Sequence, residues 1–152
     1  MEGTKTLVAY FSYSGTAKKL AERIAEIVSG DLFEIAVRNS YSEDYMMAVE
    51  EAKKELKEAA RPELAAQVSD MNQYDKIILG FPNWCGTCPM PVLTFLETYD
   101  FNGKKICSFV TNGGGGCGRS TEDIQNSAKG AIVADSVDGN HLTDEQIKSF
   151  LS

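Results

Sequence analysis

Two thiols, Cys85 and Cys88, sit in the segment Phe81-Pro82-Asn83-Trp84-Cys85-Gly86-Thr87-Cys88-Pro89-Met90-Pro91. A Cys-x-x-Cys pair suits a reversible dithiol, and the helix expected after it would turn its positive end toward the pair and lower a thiol pKa. The same segment carries Trp84, the only tryptophan of the chain, on a turn rich in proline and glycine. Core tryptophans usually sit on strands or helices, so an indole on a turn is placed to stack on a flat ligand. The bland alternative is an indole packed against its own loop. Electrons here could pass through sulfur, through a bound ring, or through both.

Two further segments have compositions suited to binding. Ser12-Tyr13-Ser14-Gly15-Thr16-Ala17 places three hydroxyls around a glycine at the start of an expected helix. Hydroxyls, free backbone amides and the positive helix end together suit a phosphate dianion. An ordinary helix cap at Ser14 is the competing reading. The segment lacks the Gly-Lys-Ser/Thr of a nucleoside triphosphate loop. In Thr111-Asn112-Gly113-Gly114-Gly115-Gly116-Cys117-Gly118 the glycines at 113, 115 and 118 spell a dinucleotide fingerprint, with Asp138 further on. That fingerprint belongs after the first strand of a βαβαβ half, and only about one strand remains here. The glycines are better read as letting backbone approach a flat ligand, with Thr111 and Asn112 offering hydrogen bonds.

The elements that must position these segments follow from periodicity. Lys5–Phe11 is a continuous apolar run of the kind a strand buried on both faces shows. A helix follows with Ala17, Leu20, Ala21, Ile24, Ile27 and Val28 on one face, and Gly30 ends it. Leu32–Val37 reads as a second strand and residues 43–60 as a second helix, whose Met46, Met47, Val49, Ala52 and Leu56 are expected to pack inward. Lys76–Phe81 is the third strand, followed by a helix carrying Val92, Leu93, Phe95, Leu96 and Tyr99 inward. Lys105–Val110 is the fourth strand, and a short helix over 120–128 precedes a fifth strand around 131–134. Thr143 with Gln146 forms a capping box for a terminal helix. Strands alternating with helices give an α/β domain: a three-layer, doubly wound, five-stranded parallel sheet. In such a sheet ligands bind beyond the carboxyl ends of the strands, so the three segments converge on one edge.

At 152 residues the chain is expected to form a single domain over 1–152. A net charge of −7 argues against nucleic acid and anionic membranes as partners and favours a basic protein surface. No apolar run approaches a membrane span and no leader is evident, so a cytoplasmic address is expected. Four cysteines do not make a secreted disulfide framework, and Cys107 reads as an inert core thiol. His141, the only histidine, reads as a solvated surface residue.

With these segments in view, the chain resembles the flavodoxin family, specifically its short-chain members. The resemblance runs over nearly the whole length and rests on four stretches: Tyr10–Thr16, Tyr74–Trp84, Gly86-Thr87 with Pro91 and Phe95-Leu96, and Gly103–Lys105 leading to Thr111–Gly114. It implies a flavodoxin-like fold with strand order 2-1-3-4-5 and one non-covalent FMN. It places Ser12, Ser14, Gly15, Thr16 and Ala17 at the phosphate, and Pro82, Asn83, Trp84, Cys85 and Gly86 in the first ring loop. Thr111, Asn112, Gly113, Gly114, Cys117 and Gly118 fall in the second. It further implies that backbone groups of 83–86 hydrogen-bond flavin N5 on reduction. Two positions depart from the pattern: Ala17, where the family often has Thr, and Cys85, where relatives often have an aromatic residue. Both imply weaker FMN binding. An acidic surface without a basic residue in the ring loops would disfavour an anionic reduced flavin and lower its potential.

The function expected is low-potential electron transfer with redox protein partners, by a monomer or weak dimer. The alternative is an FMN-dependent reductase of quinones or small electrophiles using NAD(P)H, with Cys85 and Cys88 as an added redox dithiol. A thioredoxin fold is disfavoured, since that dithiol follows an early strand and faces a later proline, and no proline follows Pro91. Zinc is disfavoured because Cys107 and Cys117 form no second pair. A receiver domain of the same topology would need acidic residues where Tyr10-Phe11-Ser12 stands.

Overall fold

The structure, a computed structural model, describes residues 5–13, 15–39, 41–140 and 142–149. Ser14 and His141, both singled out above, lie outside the described residues. The chain runs β1 (Lys5–Tyr10), α1 (Thr16–Val28), β2 (Asp31–Glu34) and α2 (Tyr45–Glu58), then through a 3-10 turn at Met71–Gln73 into β3 (Tyr74–Pro82). It continues through α3 (Met90–Thr98), β4 (Lys105–Thr111), α4 (Ser120–Ser127), β5 (Ile132–Val133), β6 (Val137–Asp138) and α5 (Asp144–Ser149). All strands pair in parallel in the order β2-β1-β3-β4-β5, with β6 also on β4. Fold class and strand order are those the sequence implies.

Alternation along the strands splits the core in two. Leu7, Ala9, Ile77, Leu79, Phe81, Ile106 and Val110 face one way, onto Val92, Phe95 and Leu96 of α3 and Ile124 of α4. Val8, Tyr10, Ile78, Cys107 and Phe109 face the other, onto Ala21, Ile24 and Val28 of α1 and Ile147 of α5. Two apolar faces on every central strand explain why β1, β3 and β4 read as unbroken apolar runs. Gly80 lies opposite Phe109 in the register, and a Cβ there would meet the Phe109 ring at 2.0 Å.

Several boundaries differ from expectation for local reasons. The fifth strand is split, because the backbone turns aside at residues 134–136. There Ser136 N–H donates to Thr121 Oγ1 (2.8 Å), and the Ser136 hydroxyl hydrogen-bonds that of buried Ser108 (2.7 Å). β2 stops at Glu34, and Val37 bridges Leu64 instead. α2 begins after Asp44, whose carboxylate accepts from Met46 N–H (2.9 Å) and Met47 N–H (3.3 Å). Met46, Met47 and Leu56, expected to pack inward, are exposed; Ala52 is buried as expected, and Ala48 joins it in the buried stripe. The capping box of α5 forms as expected: Gln146 N–H donates to Thr143 Oγ1 (3.2 Å) and Thr143 N–H to Gln146 Oε1 (2.9 Å). Among the described residues no helix is long and apolar enough to cross a membrane.

Candidate functional site

In register, Tyr10 sits opposite Gly80, Gly80 opposite Phe109, and Pro82 opposite Thr111. The three loops of interest therefore leave the sheet at one edge. In the first, Gly15 takes a left-handed conformation (φ 95°) and donates its N–H to Ser12 Oγ at 2.9 Å. The N-cap of α1 is Gly15, and among the described residues no side-chain cap bond is made to the helix. Its first turn holds no acidic residue, and Lys18 and Lys19 follow. No carboxylate stands in that first turn, so the positive helix end suits an anion. Ala17 is buried at 2 % exposure, so a side-chain hydroxyl at that position would point into the core.

The second loop is a tight turn. Trp84 N–H donates to Thr87 O (2.9 Å) and Thr87 N–H to Trp84 O (3.3 Å), with positive φ at Cys85 (58°) and Gly86 (89°). Two positive φ values mark a type I′ turn. The Asn83 side chain locks it, accepting from Gly86 N–H (2.9 Å) and donating from Nδ2 to Gly116 O of the third loop (2.9 Å). Arg119 N–H donates to Gly86 O at 2.7 Å, so the two ring loops are docked on each other. The Thr87 hydroxyl, buried, donates to Asp123 of α4. The third loop is braced from β6: Asn112 Nδ2 donates to Asp138 Oδ1 (3.2 Å), and Asn140 clasps the Asn112 backbone through contacts of 3.0 Å and 2.7 Å. Asp138 thus braces the third loop. Asn140 went unnoticed in the sequence because a lone polar residue in a loop carries no spacing signal.

Trp84 is half-buried. Three rings surround it edge-on: Tyr41 (centroids 4.9 Å, 87°), Phe11 (5.2 Å, 84°) and Tyr13 (5.8 Å, 67°). All three contacts are T-shaped, and none of the three rings lies parallel to the indole. Tyr13 OH donates to Ser42 O (2.6 Å), and Tyr41 OH donates to Glu55 of α2. Burial and the Glu55 carboxylate push the Tyr41 phenol well above its ordinary range.

The sequence matches the flavodoxin family over residues 5–152. The chain belongs to the flavodoxin family. Solved structures agree. A protein of Bacteroides uniformis described as a flavoprotein is 30 % identical, with a TM-score of 0.86 and coverage of 99 % of each chain. One from Bacteroides eggerthii, similarly described, is 28 % identical with a TM-score of 0.88, over 97 % of this chain and 96 % of that one. A flavoprotein of Lactobacillus acidophilus in complex with FMN is 26 % identical with a TM-score of 0.79, over 98 % of this chain and 99 % of that one. No curated protein matches the chain in sequence.

On this flavodoxin scaffold the two thiols of the ring loop have different environments. Cys85 is exposed at the tip of the turn, whereas Cys88 is fully buried in the core. Burial pushes the Cys88 thiol up to about 12, outweighing the lowering by its Thr87 hydrogen bond, while Asp123 adds a lesser rise and Arg61 a still smaller lowering. The sequence-based expectation of a depressed thiol at a helix start is reversed for Cys88, because desolvation outweighs the helix end. Cys107 is buried in β4 as expected, and burial raises its thiol pKa as well. Cys117 packs partly buried against the α3–α4 core. Among the described residues no group of histidine, cysteine and carboxylate side chains is arranged to hold a metal.

Proposed function

We propose that this protein binds FMN without covalent attachment and carries electrons between redox proteins. The observation that carries this reading is the pairing at one sheet edge of an α1 N-terminus with no acidic residue in its first turn and a half-buried tryptophan met by three rings in T-shaped contacts. When bound, FMN supplies the redox chemistry. The chain's part is to hold it. The Ser12 hydroxyl, oriented by its bond from Gly15 N–H, and the α1 N-terminus at Thr16 and Ala17 would meet the phosphate. Trp84 would lie along the ring, with the exposed glycines 113–115 of the third loop open to its polar edge. The FMN complex of the Lactobacillus acidophilus relative supports the choice of cofactor. An acidic surface, with net charge −7, favours partners with a basic docking face.

The visible spectrum of the purified protein, before and after addition of FMN, tests the binding. A yellow protein, or quenching of added FMN on binding, is expected; a colourless protein that does not bind FMN overturns the proposal. The FMN-loaded protein is then mixed with NADPH alone. An electron carrier shows no sustained NADPH consumption, whereas steady turnover with a quinone would assign the reductase role instead.

A further inference from the structure

The cleft that opens against Trp84 is walled by more than the ring loops. Tyr13 of the phosphate loop lines it, and so do Tyr45, Ala48, Val49 and Lys53 of α2, around about 250 Å³. Positions 45, 48 and 49 are three and four apart and share one face of the helix. Ala48 is small and buried, which makes the wall concave, while Tyr45 is large yet 68 % exposed at the mouth. The volume falls below the roughly 300–1,000 Å³ that a whole drug-sized ligand fills. It suits one flat ring system whose remaining parts extend elsewhere. Tyr13 belongs to both the cleft and the phosphate loop, so a ligand held at the α1 N-terminus can reach it. The two ring loops, meanwhile, are bonded directly to each other through Asn83–Gly116 and Gly86–Arg119.

From this arrangement we propose that α2 forms the outer wall of the ring site: the flavin ring seats between Trp84 and the Tyr45–Val49 face of α2, with Tyr45 closing over it. The inference rests on the FMN reading above and adds binding residues outside the loops after β3 and β4. It also changes the electrostatic expectation. The ring loops have no basic residue within 82–88 or 111–118, but α2 brings Lys53 to the cleft, with Glu50 as its nearest carboxylate at 4.0 Å. A cation there stabilises the negative charge a reduced ring acquires.

FMN titration followed by flavin fluorescence, with far-UV circular dichroism to monitor folding, tests the wall. Val49→Trp fills the cleft and should weaken binding by about tenfold or more. Tyr45→Ala truncates an exposed ring without touching the core and should weaken binding by about three- to tenfold. Lys53→Gln should move the midpoint potential of the bound flavin downward. Wild-type binding with Tyr45→Ala and Val49→Trp both unchanged overturns the wall while leaving the FMN reading intact. A wild-type protein that does not bind FMN overturns that reading and the wall with it. Where Val49→Trp fails to fold, the Tyr45→Ala affinity decides.

Discussion

Cys85 holds a backbone conformation that costs an L-residue about 1–2 kcal/mol, at a turn position where asparagine is favoured. Cys85→Asn should therefore raise stability by about 0.5–1 kcal/mol in urea unfolding. A loss of stability would show that the thiol, and not the backbone, sets the residue at that position. Cys88 makes the opposite kind of statement. Its thiol rises from an ordinary 9.0 to about 12 in the native state, and the buried Tyr74 phenol rises from 10.0 to about 12, by burial and its hydrogen bond to Asp31. Both groups keep their protons in the folded protein at a pH where the unfolded chain releases them. Stability is full below about pH 9 and falls as pH rises toward 12. Cys88→Ala should make that fall shallower than in the wild type; unfolding curves that overlay throughout the range would contradict the assignment.

At the scale of elements, the site depends on two loops touching. A Cβ at position 118 would lie 2.0 Å from Gly86 O, and Gly118 also has φ 55°. Gly118→Ala must push the ring loops apart and break the bond from Arg119 N–H to Gly86 O, costing about 1–3 kcal/mol. Its denaturation midpoint and its FMN affinity should fall together; an unchanged midpoint would mean the loops separate freely. The glycine-rich tract advertised backbone approach in the sequence, but the approach at Gly118 is by the other loop. The same limit applied to α2. Its helical period was legible, yet which face it buries was not. Met46 and Met47 looked like core residues, and only the packing of Ala48 and Ala52 turned them outward. The interruption after β5 was equally hidden, since it depends on hydroxyls of Ser108, Thr121 and Ser136 meeting across three elements.

For the whole molecule, the acidic balance predicts partner kinetics that depend on salt. Electron transfer from the FMN-loaded protein to a basic cytochrome should slow by about tenfold as salt rises well above physiological strength, by screening of long-range attraction. Stopped-flow rates independent of salt would argue against electrostatic docking.

The sequence alone determined the layered architecture, because strands buried on both faces and helices apolar on one face admit few arrangements. It also brought the three candidate loops to one edge, since loops after strand ends must share an edge of a parallel sheet. Tertiary structure decided how the loop residues divide their work. Desolvation separates Cys85 from Cys88, although both belong to one Cys-x-x-Cys. Edge-on packing by Phe11, Tyr13 and Tyr41, drawn from two other loops, fixes Trp84. Burial and ring packing depend on neighbours distant in the chain, and residue spacing carries no record of them.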